Sequence, residues 1–176
     1  LIAHGLCGSR LYYDYLAPHL ASYGFVVGAP DFTGVTRAAC DAGQVTASIN
    51  DLPLDLSFVC RELHDATGPL GKWAQHVRGI PTGLIGNSLG GIAVVEAAKI
   101  DASFTAVVGL APAVTASAAP ALVGLVPRRA WMIMGATGDA TVSFTGWTEP
   151  FFEGLVAPAF LVRFTGGSHT AFSDEN

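Results

Sequence analysis

Thr82-Gly83-Leu84-Ile85-Gly86-Asn87-Ser88-Leu89-Gly90-Gly91-Ile92 decides how this chain is read. A short apolar run ends in Gly86-Asn87-Ser88-Leu89-Gly90, and a helical pattern from Ile92 to Lys99 begins at once. Strand, sharp turn and helix with a serine at the apex is the context of a G-x-S-x-G nucleophile elbow. With 21 glycines in the chain the bare pattern means little, and its placement between strand and helix is what gives it weight. Gly86 and Gly90 lack the Cβ atoms that would collide where strand and helix approach, and Gly91 is expected to relax the first helical turn. The free N–H groups at the helix start offer a place for a developing oxyanion.

Outward from the elbow, strand and helix patterns alternate. Leu1–Ala3 reads as a strand, followed by the loop His4-Gly5-Leu6-Cys7-Gly8-Ser9. A broken helical stretch runs from Leu11 to Tyr23, with Pro18 expected in the first turn of its second piece and Gly24 as its stop. Phe25–Ala29 reads as a second strand and residues 32–47 as a loop. Leu52, Leu56, Val59 and Leu63 mark one face of a helix starting near Asn50. Residues 66–81 form a connector, and Leu84-Ile85 lies in the third strand. Further strands are expected at Thr105–Leu110, Trp131–Met134 and Phe160–Phe164. A loop with a short helix over Ala111–Pro127 and a short helix over Thr148–Leu155 fall between them. The pattern predicts one α/β domain over residues 1–176, with a mostly parallel sheet of about six strands and helices on both faces.

Composition agrees. Hydrophobic residues make up 51% and charged ones only 13%, as expected of strands covered on both faces. A net charge of −5 without a Lys/Arg cluster argues against nucleic acid or an anionic membrane as partner. No apolar run reaches the roughly 18 residues of a membrane span. The first residues read as the middle of a strand, so the chain looks trimmed and a targeting signal is out of view. Cys7, Cys40 and Cys60 have no metal-ligand spacing; one pair could form a disulfide, but buried free thiols are the expectation.

In a parallel sheet, functional groups gather where strands end at the carboxyl edge. Ser88, Asp139 and His169 all follow strand ends, in the order serine, acid, histidine. A serine hydroxyl needs a general base, and the imidazole needs a carboxylate to set its tautomer. Each has an ordinary structural reading as well. Asp139 could cap a turn, His169 could be a surface residue, and Glu149 is a rival acid at a helix start that favours glutamate anyway. Asp31 reads as a turn residue. His19, His64 and His76 fall in helices or connectors, and His4 precedes the first loop.

Four segments together resemble the α/β-hydrolase fold: Leu1 through Ser9, Leu20 through Asp31, Gly86 through Gly91, and Gly166-Gly167-Ser168-His169. Within that fold they look most like the dienelactone-hydrolase-like branch, which includes bacterial cutinases, polyester hydrolases and platelet-activating-factor acetylhydrolases. The resemblance implies Ser88 as nucleophile, Asp139 as acid and His169 as base, with the backbone N–H groups of Leu6 and Leu89 as oxyanion hole. It also implies leading antiparallel strands and a closing helix that this sequence does not contain. Serine in place of the cysteine of dienelactone hydrolases favours ester hydrolysis. Leu6, and Ala111-Pro112-Ala113 without an aromatic, speak against aromatic polyesters.

Gly68-Pro69-Leu70-Gly71-Lys72-Trp73 lacks the hydroxyl residue and spacing of a phosphate-binding loop. No cofactor and no metal is expected. The reading is a serine esterase acting on a small or lipid-like ester. Acyl transfer or perhydrolysis by the same residues, or a non-catalytic fragment of the fold, are the alternatives. Without outer strands, Leu1-Ile2-Ala3 and its neighbours would leave an apolar sheet edge uncovered, which favours self-association.

Overall fold

A computed structural model describes residues 1–46, 49–125 and 128–174. In chain order the elements are β1 (Ile2–Ala3), α1 (Leu16–Ser22), α2 (Arg37–Asp41), α3 (Asp51–His64), α4 (Ala74–Val77) and β2 (Thr82–Asn87). Then follow α5 (Leu89–Ile100), β3 (Phe104–Leu110), β4 (Ala130–Ala136), α6 (Glu149–Glu153) and β5 (Ala159–Phe164). Single 3₁₀ turns at Arg10–Tyr13 and His169–Phe172 flank the first loop and the last. The five strands form one all-parallel sheet in sequence order.

Alternation along the strands sorts side chains to two faces. Leu84, Val107 and Ile133 are fully buried beneath α3, α5 and α6 in the main core. Their neighbours Ile85, Val108 and Met134 face the other way and are only partly buried, packed around Leu110, Ala111, Ala136 and Phe172. That second layer is thin. α3 starts after Asn50 with Pro53 in its first turn, and it buries Leu52, Leu56 and Cys60, while Val59 and Leu63 are half-covered.

Phe25–Ala29 is not the strand its composition predicts: among the described residues it meets the sheet through one bond, Ile2 N–H to the Gly28 carbonyl at 2.9 Å. β1 is only two residues long, too short to template a ladder on its free side. The early helical stretch is broken at Asp14-Tyr15, and Pro18 sits in the first turn of its second piece, α1, where no donor is required. Residues 32–46 contain α2, capped by Thr36 Oγ1 accepting from Ala39 N–H. Residue 47 and the end of the Ala111–Pro127 segment lie outside the described residues. Cys7 and Cys40 are joined in a disulfide, and only Cys60 is a buried free thiol. Their separation of 33 residues left no local signal of the pairing.

Candidate active site

β2 runs straight into α5, and Ser88 at the join has φ 52° and ψ −117°, a strained conformation for a residue with a side chain. Its surroundings hold it there. Ser88 N–H donates to the Leu110 carbonyl at 3.0 Å, and its carbonyl accepts from Gly91 and Ala113 N–H. Asn87 Nδ2 donates to the same Leu110 carbonyl, while its Oδ1 accepts from the buried Tyr13 hydroxyl at 3.1 Å. The glycines are required by contact. A Cβ on Gly86 would lie 2.2 Å from the Gly90 carbonyl oxygen, and one on Gly90 would lie 2.2 Å from that of Ala3. Gly91 has a different role from the one expected: a Cβ there would strike Pro112, 2.6 Å away, in the segment after β3.

Asp139 and His169 are brought together by two turns that zip against each other. Thr137 N–H donates to the Phe164 carbonyl, Gly138 N–H to Gly166 O, and Gly166 N–H to Thr137 Oγ1. Gly138 admits this approach, since a Cβ would lie 2.6 Å from the Gly167 carbonyl oxygen. The Asp139 carboxylate is buried; Oδ1 accepts from Thr141 and Val142 N–H, both at 2.8 Å. Oδ2 faces His169 Nδ1 at 2.7 Å. With both oxygens engaged, this carboxylate can fix the imidazole with its proton on Nδ1, leaving Nε2 as an acceptor. Glu149 begins α6 and makes no bond to that ring. Asp31 pairs with the Arg10 guanidinium and backbone, as a turn residue would.

Ser88 reaches the same carboxyl edge of the sheet as Asp139 and His169. Among the described residues, however, no hydrogen bond joins Ser88 Oγ to His169. Such contacts are often loose without substrate and tighten in the Michaelis complex. On the other side, a Cβ on Gly5 would lie 3.2 Å from Ser88 Cβ, so the backbone leading into Leu6 abuts the serine. Among the described residues, neither Leu6 N–H nor Leu89 N–H donates to a protein acceptor.

His4 carries no signal in the sequence beyond its place at the first loop. It is fully buried, with Nδ1 against the Gly5 carbonyl at 2.8 Å and Nε2 accepting from Phe32 N–H at 2.9 Å. That pair of contacts requires the neutral ring, and burial lowers its pKa below the ordinary value. An unfolded chain takes up this proton near pH 6.5 while the folded one resists it. The stability His4 contributes is therefore full above about pH 6.5 and is lost as pH falls towards the depressed folded value. Urea midpoints measured from pH 7.5 to 5 should fall more steeply for the native chain than for His4→Gln. Equal slopes would show that His4 does not carry the effect.

Among the described residues, no group of His, Cys, Asp and Glu could hold a metal ion, and no helix is long and apolar enough to cross a membrane. No curated protein matches the chain. The family described as serine aminopeptidase, S33 matches residues 1–143, a span that takes in the first loop, the elbow and Asp139. The resemblance read from the motifs thus holds at the level of the superfamily. By that match over most of its length, the chain belongs to the serine aminopeptidase S33 family and is a hydrolase of the α/β-hydrolase superfamily.

Proposed function

We propose that the protein is a serine hydrolase of carboxylic esters, with Ser88 as nucleophile, His169 as general base and acid, and Asp139 as the orienting carboxylate. The observation that carries this reading is the buried Asp139 bonded to His169 Nδ1 at 2.7 Å, on the sheet edge where the elbow serine emerges. Ser88 Oγ attacks the ester carbonyl as His169 Nε2 takes its proton. The carbonyl oxygen becomes an anion held by Leu6 and Leu89 N–H. Collapse expels the alcohol, which receives the proton from His169, and water then repeats the sequence on the acyl-enzyme. Ester rather than amide substrates are favoured by the likeness to the dienelactone-hydrolase-like branch with serine in place of cysteine. The family's description as serine aminopeptidase makes an aminoacyl p-nitroanilide the proper competitor in the assay.

A fluorophosphonate is expected to label Ser88 alone, although Ser9, Ser168 and other serines are present. The native chain should cleave short p-nitrophenyl esters and leave the anilide intact. Labelling that persists in Ser88→Ala would refute the assignment. Preferential anilide cleavage would move the substrate class to amides.

Self-association belongs to the same proposal. Among the described residues β5 has one unpaired edge, with Phe160 and Phe164 exposed, and such edges template pairing. Light scattering should show a mass that rises with concentration; a monodisperse monomer at high concentration would count against it.

A further inference from the structure

The loop that carries Leu6 has no regular element to hold it, since β1 ends at Ala3 and the next turn starts at Arg10. It is fastened instead to a strap formed by residues 31–41. Phe32 N–H donates to His4 Nε2 at 2.9 Å, and Arg37 N–H donates to the Gly8 carbonyl at 2.9 Å. Arg10 N–H donates to Asp31 Oδ1 at 2.8 Å, and its guanidinium pairs with the same carboxylate. The last fastening is covalent: Cys7 is bonded to Cys40 of α2, with Cα atoms 5.6 Å apart. The strap has its own hold on the core through Phe32 and Val35, both buried.

Cys7 directly follows Leu6, and its φ is 56°, a conformation that residues with side chains seldom adopt. Gly8 N–H donates to the Gly5 carbonyl at 3.1 Å, closing a tight turn around Leu6 and Cys7. Release of Cys7 to a negative φ would swing the peptide units on its N-terminal side, among them the Gly5–Leu6 unit that abuts Ser88.

We propose that the Cys7–Cys40 disulfide is a positioning element for the oxyanion hole, and that its reduction lowers turnover while leaving the fold in place. The inference rests on the esterase reading above. It separates the two effects because the remaining fastenings do not involve sulfur: His4 to Phe32, Gly8 to Arg37, Arg10 to Asp31, and the buried pair Phe32 and Val35. Both cysteines are half-buried, so a dithiol can reach them. Its thiolate attacks one sulfur, the S–S bond breaks, and the other cysteine leaves as thiolate and takes a proton. The second thiol of the reagent then displaces the first cysteine as a cyclic disulfide. In sum two electrons and two protons pass to the protein, and the dithiol is oxidised. Disulfides persist in oxidising compartments and are kept reduced elsewhere, so the same chain would work at different rates in the two.

The test uses the full chain in a Cys60→Ala background, which removes the free buried thiol and leaves one disulfide to titrate. Turnover of a short p-nitrophenyl ester is measured before and after dithiothreitol, with thiols counted and far-ultraviolet circular dichroism recorded. A displaced oxyanion donor should lower kcat about tenfold or more, and KM should stay within about twofold. Reoxidation should restore the rate. The Cys7→Ala/Cys40→Ala variant should show the low kcat from the start and ignore the reductant. Unchanged kcat with two thiols freed would overturn the proposal. So would loss of the folded spectrum on reduction, because the link would then hold the fold rather than the loop. If the double variant fails to fold, the reduction of the folded chain decides alone. An oxidised chain that neither cleaves esters nor takes the fluorophosphonate at Ser88 would defeat the esterase reading, and the inference with it. An active chain indifferent to reduction would defeat the inference only.

Discussion

Replacing Asp139 with asparagine is expected to lower kcat by about 10⁴ in a protein that still folds. The reason lies in which donors are fixed. Thr141 and Val142 N–H both point at Oδ1 and belong to the backbone, so the asparagine oxygen is drawn to that side. Its amide nitrogen then faces His169 Nδ1 with a donor where the carboxylate had presented an acceptor. The imidazole must answer with an unprotonated Nδ1, which puts its proton on Nε2 and removes the base from the serine's side. Because the two backbone bonds survive, the melting temperature should change little. Glu149→Gln should stay active, losing ~1 kcal/mol of stability or less from the start of α6. A dead Glu149→Gln beside an active Asp139→Asn would hand the acid's role to Glu149.

Gly90→Ala should carry the largest cost in stability. The added Cβ would stand 2.2 Å from the Ala3 carbonyl oxygen and 2.6 Å from that of His4. Both are backbone atoms at the end of β1 and the root of the first loop, so no rotamer change relieves the contact. Overpacking against yielding side chains costs ~1–3 kcal/mol, and a clash with backbone should reach ~3 kcal/mol or more. That is a large part of the ~5–15 kcal/mol by which a domain of this kind is stable. Gly43→Ala is the control. There the φ of 66° is strained for alanine, but nothing lies within 4 Å, and the cost should be ~1–2 kcal/mol. Urea unfolding of both variants measures the difference; equal losses would show that the crossing of β1 and α5 can relax.

The sequence by itself determined whatever depends on neighbours along the chain. Apolar runs broken by turn residues marked β2, β3, β4 and β5, because burial on a sheet demands them within a few residues. Gly86 and Gly90 around Ser88 marked the elbow, because a strand cannot enter a helix that sharply past two Cβ atoms. Strand ends in a parallel sheet share one edge, so Ser88, Asp139 and His169 could be named as a group. What the tertiary structure alone decided depends on distance through space. The His169 ring meets Asp139 and not Glu149 because the Thr137–Asp139 and Thr165–His169 turns bond to each other, a pairing that neither turn encodes separately. Phe25–Ala29 has strand composition, yet among the described residues it meets the sheet through one bond, because β1 beside it is two residues long. Cys7 finds Cys40 across 33 residues because Phe32 and Val35 sink into the core and carry α2 back over the first loop. The same return brings Phe32 N–H to His4, which turns a histidine with no local signal into a buried, neutral support of the loop. Composition could supply the pieces of that loop, but only the folded chain fastens it beside Ser88.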